Sequence, residues 1–281
     1  MARDSLQVVV SLSMFHKFIL LINLIFYSQI GFIYGSKEDF SILNFNLFGQ
    51  DYTPPTPPLP PPSPHPPSLS CEEDLKGIGS LNTTCQLNTN LQFENDVYIG
   101  GKGNLDILPC VSISCLVPGC RISINISRDF SLGQNSSILA GTFILRAFNA
   151  SLVDGSSINT TVLAGNPPAQ TSGTPQGIDG AGGGHGGRGA CCLTDNQKHQ
   201  EDVWGGDTYG WSMLDKPWSY GSKGGTTSRE TDYGGGGGGR IKMVIKGFLD
   251  VNGTVLAEGG DGGFEGGGGS GGSIKIAAHK M

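Results

Sequence analysis

Ile122-Ser123-Ile124-Asn125-Ile126, then Phe130-Ser131-Leu132, then Gly133-Gln134-Asn135 is the stretch that decides the fold. Apolar and small polar residues alternate, so each run puts one face inward and one outward, with a period of two. Each run is three to five residues long and stops at a turn signal. Working outward, the same pattern recurs in Val97-Tyr98-Ile99, Leu105-Asp106-Ile107-Leu108, Val111-Ser112-Ile113, Phe143-Ile144-Leu145 and Val162-Leu163. No window shows a convincing amphipathic helix. Many short strands in one chain imply an all-β fold.

The strands also repeat. Gly133-Gln134-Asn135-Ser136-Ser137-Ile138 is echoed by Gly155-Ser156-Ser157-Ile158, and Leu139-Ala140-Gly141 by Leu163-Ala164-Gly165 and Val255-Leu256-Ala257. Gly238-Gly239-Arg240-Ile241-Lys242 returns as Gly271-Gly272-Ser273-Ile274-Lys275. Such spacing fits the coils of a parallel β-helix-like solenoid. The principal rival is an antiparallel sandwich, which wants hairpin turns between matched strands. The domain expectation is a solenoid section over 71–165, a long Gly/Trp-rich insertion over 166–239, and a second solenoid section over 240–281. Gly is the compositional outlier, with 46 residues, 33 of them after Gly165. The expected role of these glycines is at tight corners that need positive φ.

The beginning of the chain has a different character. Arg3, His16 and Lys17 precede an apolar run from Phe18 to Tyr34. This reads as a signal peptide or signal anchor over 1–35. A Pro-rich linker follows over 36–70. Its centre, Thr53 to Pro67, holds ten prolines and forms a stiff polyproline II spacer.

Six sequons agree with export: Asn82, Asn125, Asn135, Asn149, Asn159 and Asn252. So do seven cysteines, Cys71, Cys85, Cys110, Cys115, Cys120, Cys191 and Cys192, all disulfide candidates. Cys71 with Cys85 is one reading of a loop-closing bridge, and the odd count leaves a thiol free or paired outside the chain. The expected location is the secretory pathway: extracellular, cell wall or plasma-membrane surface. A net charge of −6 excludes nucleic acid as an expected partner.

Longer motifs carry a resemblance. They include Ser70-Cys71-Glu72-Glu73-Asp74-Leu75-Lys76-Gly77 and Gln170 through Cys192, with Gly184-His185-Gly186-Gly187-Arg188 at its centre. They also include Glu201-Asp202-Val203-Trp204-Gly205-Gly206 and Lys216-Pro217-Trp218-Ser219-Tyr220-Gly221. Over residues 40 to 281 the chain resembles the N-terminal part of the large plant glycine-rich predicted cell-surface proteins. Members of that family are far longer and carry membrane spans near the C-terminus. The resemblance therefore implies a membrane partner through a missing C-terminal region; the N-terminal apolar segment, if uncleaved, is the other route to a membrane.

No catalytic residue, metal ligand or cofactor is expected. Gly184-His185-Gly186 and Arg240-Ile241-Lys242 resemble motifs of plant polygalacturonases, but the carboxylates that such hydrolysis needs are missing from their places. Gly234 to Gly239 lacks the context of a phosphate loop. Trp204, Trp211 and Trp218 are spaced by seven and form a possible sugar-stacking platform; the alternative is that they pin the insertion to the solenoid. The functional expectation is a non-enzymatic extracellular structural or carbohydrate-interaction module, with cell-wall polysaccharide as the possible partner. The alternative is a divergent or inactive pectin-degrading type of enzyme on the same fold.

Overall fold

A computed structural model describes residues 66–173, 180–190, 205–210, 218–226, 231–263 and 266–281, all within the compact unit Ser63–Met281. The N-terminal apolar segment, most of the linker, Cys191, Cys192, Trp204 and Trp211 lie outside the described residues.

The described residues form an all-β structure with no helix. The strands run in chain order: β1 (Ile78–Gly79), β2 (Thr84–Leu87), β3 (Leu91–Gln92), β4 (Val97–Gly101), β5 (Asn104–Ile107), β6 (Ser112–Cys115), β7 (Arg121–Ile126) and β8 (Asp129–Leu132). They continue as β9 (Ser137–Ala140), β10 (Thr142–Ala147), β11 (Asn149–Leu152), β12 (Ser157–Asn159), β13 (Arg240–Val251), β14 (Thr254–Leu256) and β15 (Ser273–Lys280). They make one curled ten-stranded sheet and one five-stranded sheet. Pairing between strands is parallel except where β1 meets β2.

Three parallel ladders carry the architecture. The first joins β2, β5, β8, β11 and the far half of β13; the second joins β3, β6, β9, β12 and β14; the third joins β4, β7, β10, the near half of β13, and β15. Alternation in sequence becomes alternation in burial. Ile99, Ile124, Leu145 and Met243 form one inward row, and Leu105, Phe130, Ala150 and Leu249 another. Ile113, Ile138 and Ile158 line the second ladder, and all three rows enter a single core. On the outer side of the first ladder a polar row clamps the register. Asn104 Nδ2 donates to Thr84 Oγ1, Asp129 N–H to Asn104 Oδ1, and Asn149 Nδ2 to Asp129 Oδ1, at separations of 20, 25 and 20 residues.

The echoes in the sequence are only partly register echoes. Ser137 pairs with Ser157, and Arg240-Ile241-Lys242 pairs with Ser273-Ile274-Lys275. Leu139, however, faces Asn159 and not Leu163. The expected run at Val162-Leu163 is no strand: Val162 is exposed with φ of 62°, an outlier for a β-branched residue.

The glycines correct the expectation about corners. Among the described glycines only Gly79, Gly119, Gly155 and Gly180 have positive φ. The glycine runs are instead extended chains packed side by side. Within 234–239, the N–H groups of Gly235, Gly238 and Gly239 donate to the carbonyls of Gly267, Ser270 and Thr160. The carbonyls of Gly235, Gly236, Gly237 and Gly238 accept from Gly224, Gly260, Ala164 and Gly221. A pleated strand has two edges and two neighbours, but this segment bonds to four. A Cβ on Gly224 would overlap the Gly267 carbonyl oxygen, and one on Gly272 that of Gly239.

Disulfides join Cys71 to Cys85 and Cys115 to Cys120. Cys110, the first of the evenly spaced three, is exposed and outside both bonds. Disulfides fit an extracellular or secreted protein. Ser68 and Leu69, inside the linker boundary drawn from sequence, are hydrogen-bonded to Gly100 and Tyr98.

Candidate functional site

The outward face of the third ladder gathers the chemistry. Parallel pairing in register stacks equivalent side chains about 4.8 Å apart, strand upon strand. One outward row is Arg121, Thr142, Arg240 and Ser273. The next is Tyr98, Ser123, Ile144, Lys242 and Lys275, and a third is Gly100, Asn125, Arg146, Val244 and Ala277.

Residues 218–220 lie across the start of these strands. Ser219 is held through Ser273: its N–H donates to Ser273 Oγ at 3.1 Å, and that hydroxyl donates to its carbonyl at 2.8 Å. Tyr220 OH lies 2.7 Å from Thr142 Oγ1, and its ring packs on Gly165, where a Cβ would crowd it. The Arg240 guanidinium sits 4.8 Å from the Trp218 ring centroid and 4.2 Å from that of Tyr220. Its Nε donates to Thr142 Oγ1 and its Nη1 to the Trp218 carbonyl. Lys242 Nζ lies 5.7 Å from the Trp218 centroid. Such cation–ring contacts contribute about 0.5–2 kcal/mol each, depending on solvent access.

The charges on this face are graded. At the β4 end, Arg121 meets Asp96, with Nε 3.7 Å from Oδ2 and the backbone N–H donating to Oδ1. Here an open cleft of about 970 Å³ is bordered by Glu94, Asp96, Pro118, Asn166 and Tyr220. Towards β13 and β15 the face turns cationic. Arg146, Arg240, Lys242 and Lys275 have no carboxylate partner among the described residues. The strands of the first ladder, by contrast, bear Asp106, Asp129 and Asp250 outward.

His185 lies elsewhere. Its ring packs at a tilt against Tyr209 with centroids 4.3 Å apart, and burial pushes its pKa below the usual 6.5, against a weaker backbone hydrogen bond at Gly271. Burial likewise raises the Tyr209 phenol, whose hydroxyl joins Ser222 Oγ and the Tyr220 carbonyl; Ser222 Oγ in turn donates to Thr171 Oγ1. His185 and Arg240 thus have separate partners. No three His, Cys, Asp or Glu side chains cluster in a way that could hold a metal among the described residues. No helix there is long and apolar enough to cross a membrane.

The sequons fall at two kinds of position. Asn82, Asn135 and Asn252 are exposed in turns or bends. Asn125, Asn149 and Asn159 sit in strands, with Asn125 on the same outward face as Arg146 and its Nδ2 donating to Tyr98 OH. Of the three tryptophans, Trp218 is the one among the described residues, and it lies beside the basic side chains. Sequence reasoning missed Lys242 and Lys275 as a pair. Their signal was present in the Arg240-Ile241-Lys242 repeat, whose third residue is outward in both copies.

No protein-family model, curated protein or solved structure matches this chain.

Proposed function

We propose that the chain is a non-enzymatic extracellular or cell-surface module, a parallel β-helix-like solenoid that holds wall polysaccharide on the outward face of its third ladder. The solenoid reading is supported by three parallel ladders whose strands advance by 20 to 25 residues per step as far as β12, before the long step to β13 and β14. The export reading is supported by the two disulfides and the N-terminal apolar segment.

One observation carries the binding reading: Trp218 and Tyr220 are fixed on a sheet face beside Arg240 and Lys242. Aromatic rings cover the apolar C–H faces of sugars, and guanidinium and ammonium groups donate to their oxygens.

The test is a wall-polysaccharide array probed with the full secreted chain and with Trp218→Ala. The wild type is expected to bind at least one polysaccharide, and the variant to bind roughly tenfold more weakly, the equivalent of about 1.4 kcal/mol. No binding by the wild type sinks the reading. Release of reducing ends by the wild type sinks its non-enzymatic part and favours the pectin-degrading alternative.

A further inference from the structure

Resting on that reading, we infer that the ligand is an acidic polysaccharide, a chain of uronate residues whose carboxylates lie across Lys242 and Lys275. The two lysines are direct partners on neighbouring parallel strands. Like charges set opposite each other across strands are destabilising. Nothing in the fold requires the arrangement, because both side chains project outward and the inward neighbours Ile241 and Met243 form the core. Among the described residues no carboxylate relieves it.

The surroundings deepen the mismatch. Arg146 stands on the strand next to Lys242, in the following outward row, and Arg240 precedes Lys242 by one outward position on the same strand. Of the five N–H donors of Arg240, the ones used are Nε, to Thr142, and one on Nη1, to the Trp218 carbonyl. The others are available to a planar carboxylate, which a guanidinium meets well. Four cations therefore share one patch on a chain whose net charge is −6. The patch ends where Asp96 and Glu94 begin, so it has direction: a polyanion is favoured over β10, β13 and β15 and repelled at the β4 end. Trp218 adjoins it and supplies the ring surface that a sugar needs and a bare polyanion does not.

The experiment measures affinity of the full secreted chain for polygalacturonate, for its fully methyl-esterified form, and for a neutral glucan, with Lys242→Gln/Lys275→Gln alongside. Both lysines face outward, and retention of the wild-type circular dichroism spectrum checks that the variant folds. Polygalacturonate is expected to bind, with affinity falling as salt rises. Esterification is expected to weaken binding roughly tenfold or more, and the double variant to lose a similar factor. Equal binding of the esterified and free forms overturns the inference, as does an unaffected double variant. Binding of neutral glucan that depends on Trp218, without preference for the acid, overturns it while leaving the broader reading intact. Duplex DNA bound as tightly as polygalacturonate, and independently of Trp218, overturns the assignment to uronate by reducing it to charge. No binding to any polysaccharide defeats both readings together.

Discussion

At the scale of single residues, the glycines divide by what surrounds them. A Cβ at Gly272 meets the carbonyl oxygens of Gly239 and Gly238, both backbone atoms that cannot rotate away. A Cβ at Gly186 or Gly187 meets nothing. Gly272→Ala is therefore expected to cost about 1–3 kcal/mol or more in denaturant unfolding, while Gly187→Ala stays within about 0.5 kcal/mol of wild type. Equal effects would contradict close chain packing. His185 gives a second residue-level expectation. Its folded pKa lies below 6.5, so the folded state favours the neutral ring. Stability is then full above pH 6.5 and falls as the pH drops towards the folded pKa, where the unfolded chain binds the proton more readily. His185→Phe should flatten that part of the pH–stability curve, read from unfolding midpoints at successive pH values.

At the scale of elements, period-two alternation made the strands legible, and the glycine runs were not legible in the same way. Ile122-Ser123-Ile124-Asn125-Ile126 gives β7 directly, because its inward residues and outward residues have different chemistry. Phe143 in β10 is fully buried between Ile122 and Ile241, and Phe143→Ala is expected to cost about 3–5 kcal/mol, measured by chemical denaturation. A glycine run has no side chains and so no alternation. Sequence alone cannot separate a corner that needs positive φ from a chain that needs a close neighbour, and the expectation of corners chose the wrong one. Val162 fails for a different reason: it lies in a turn at positive φ, with its N–H donating to the Glu258 carbonyl, and a short apolar pair does not reveal such a turn. The candidate site shows the same limit. Trp218 was visible, and so were both copies of the Ile-Lys repeat. That Lys242 would face Lys275, and that Trp218 would lie beside them, depends on pairing across segments that local pattern does not encode.

At the scale of the whole molecule, the outward face of the third ladder exists only if successive parallel strands pair in register. The Cys71–Cys85 bond ties the chain before β1 to β2, and closing a loop of this length contributes about 3 kcal/mol in the chain-entropy view. Removing it with Cys71→Ser/Cys85→Ser should lower stability by about that amount without altering ligand preference, because the bond lies on the first ladder. A loss of preference alone, with stability unchanged, would contradict this separation. Register itself can be read chemically. Ser131 of β8 and Ser151 of β11 are direct partners on adjacent strands and both are half-buried on the outward side. The spacing of adjacent parallel strands, about 4.8 Å, lies within the Cα range that a disulfide spans. The most direct measurement is peptide mass spectrometry of Ser131→Cys/Ser151→Cys, made in a Cys110→Ala background, against the slipped pair Asp129→Cys/Ser151→Cys. The parallel register of β8 and β11 requires a crosslink in the first variant and none in the second. A crosslink in the slipped pair, or none in either, would contradict the register on which the binding face depends.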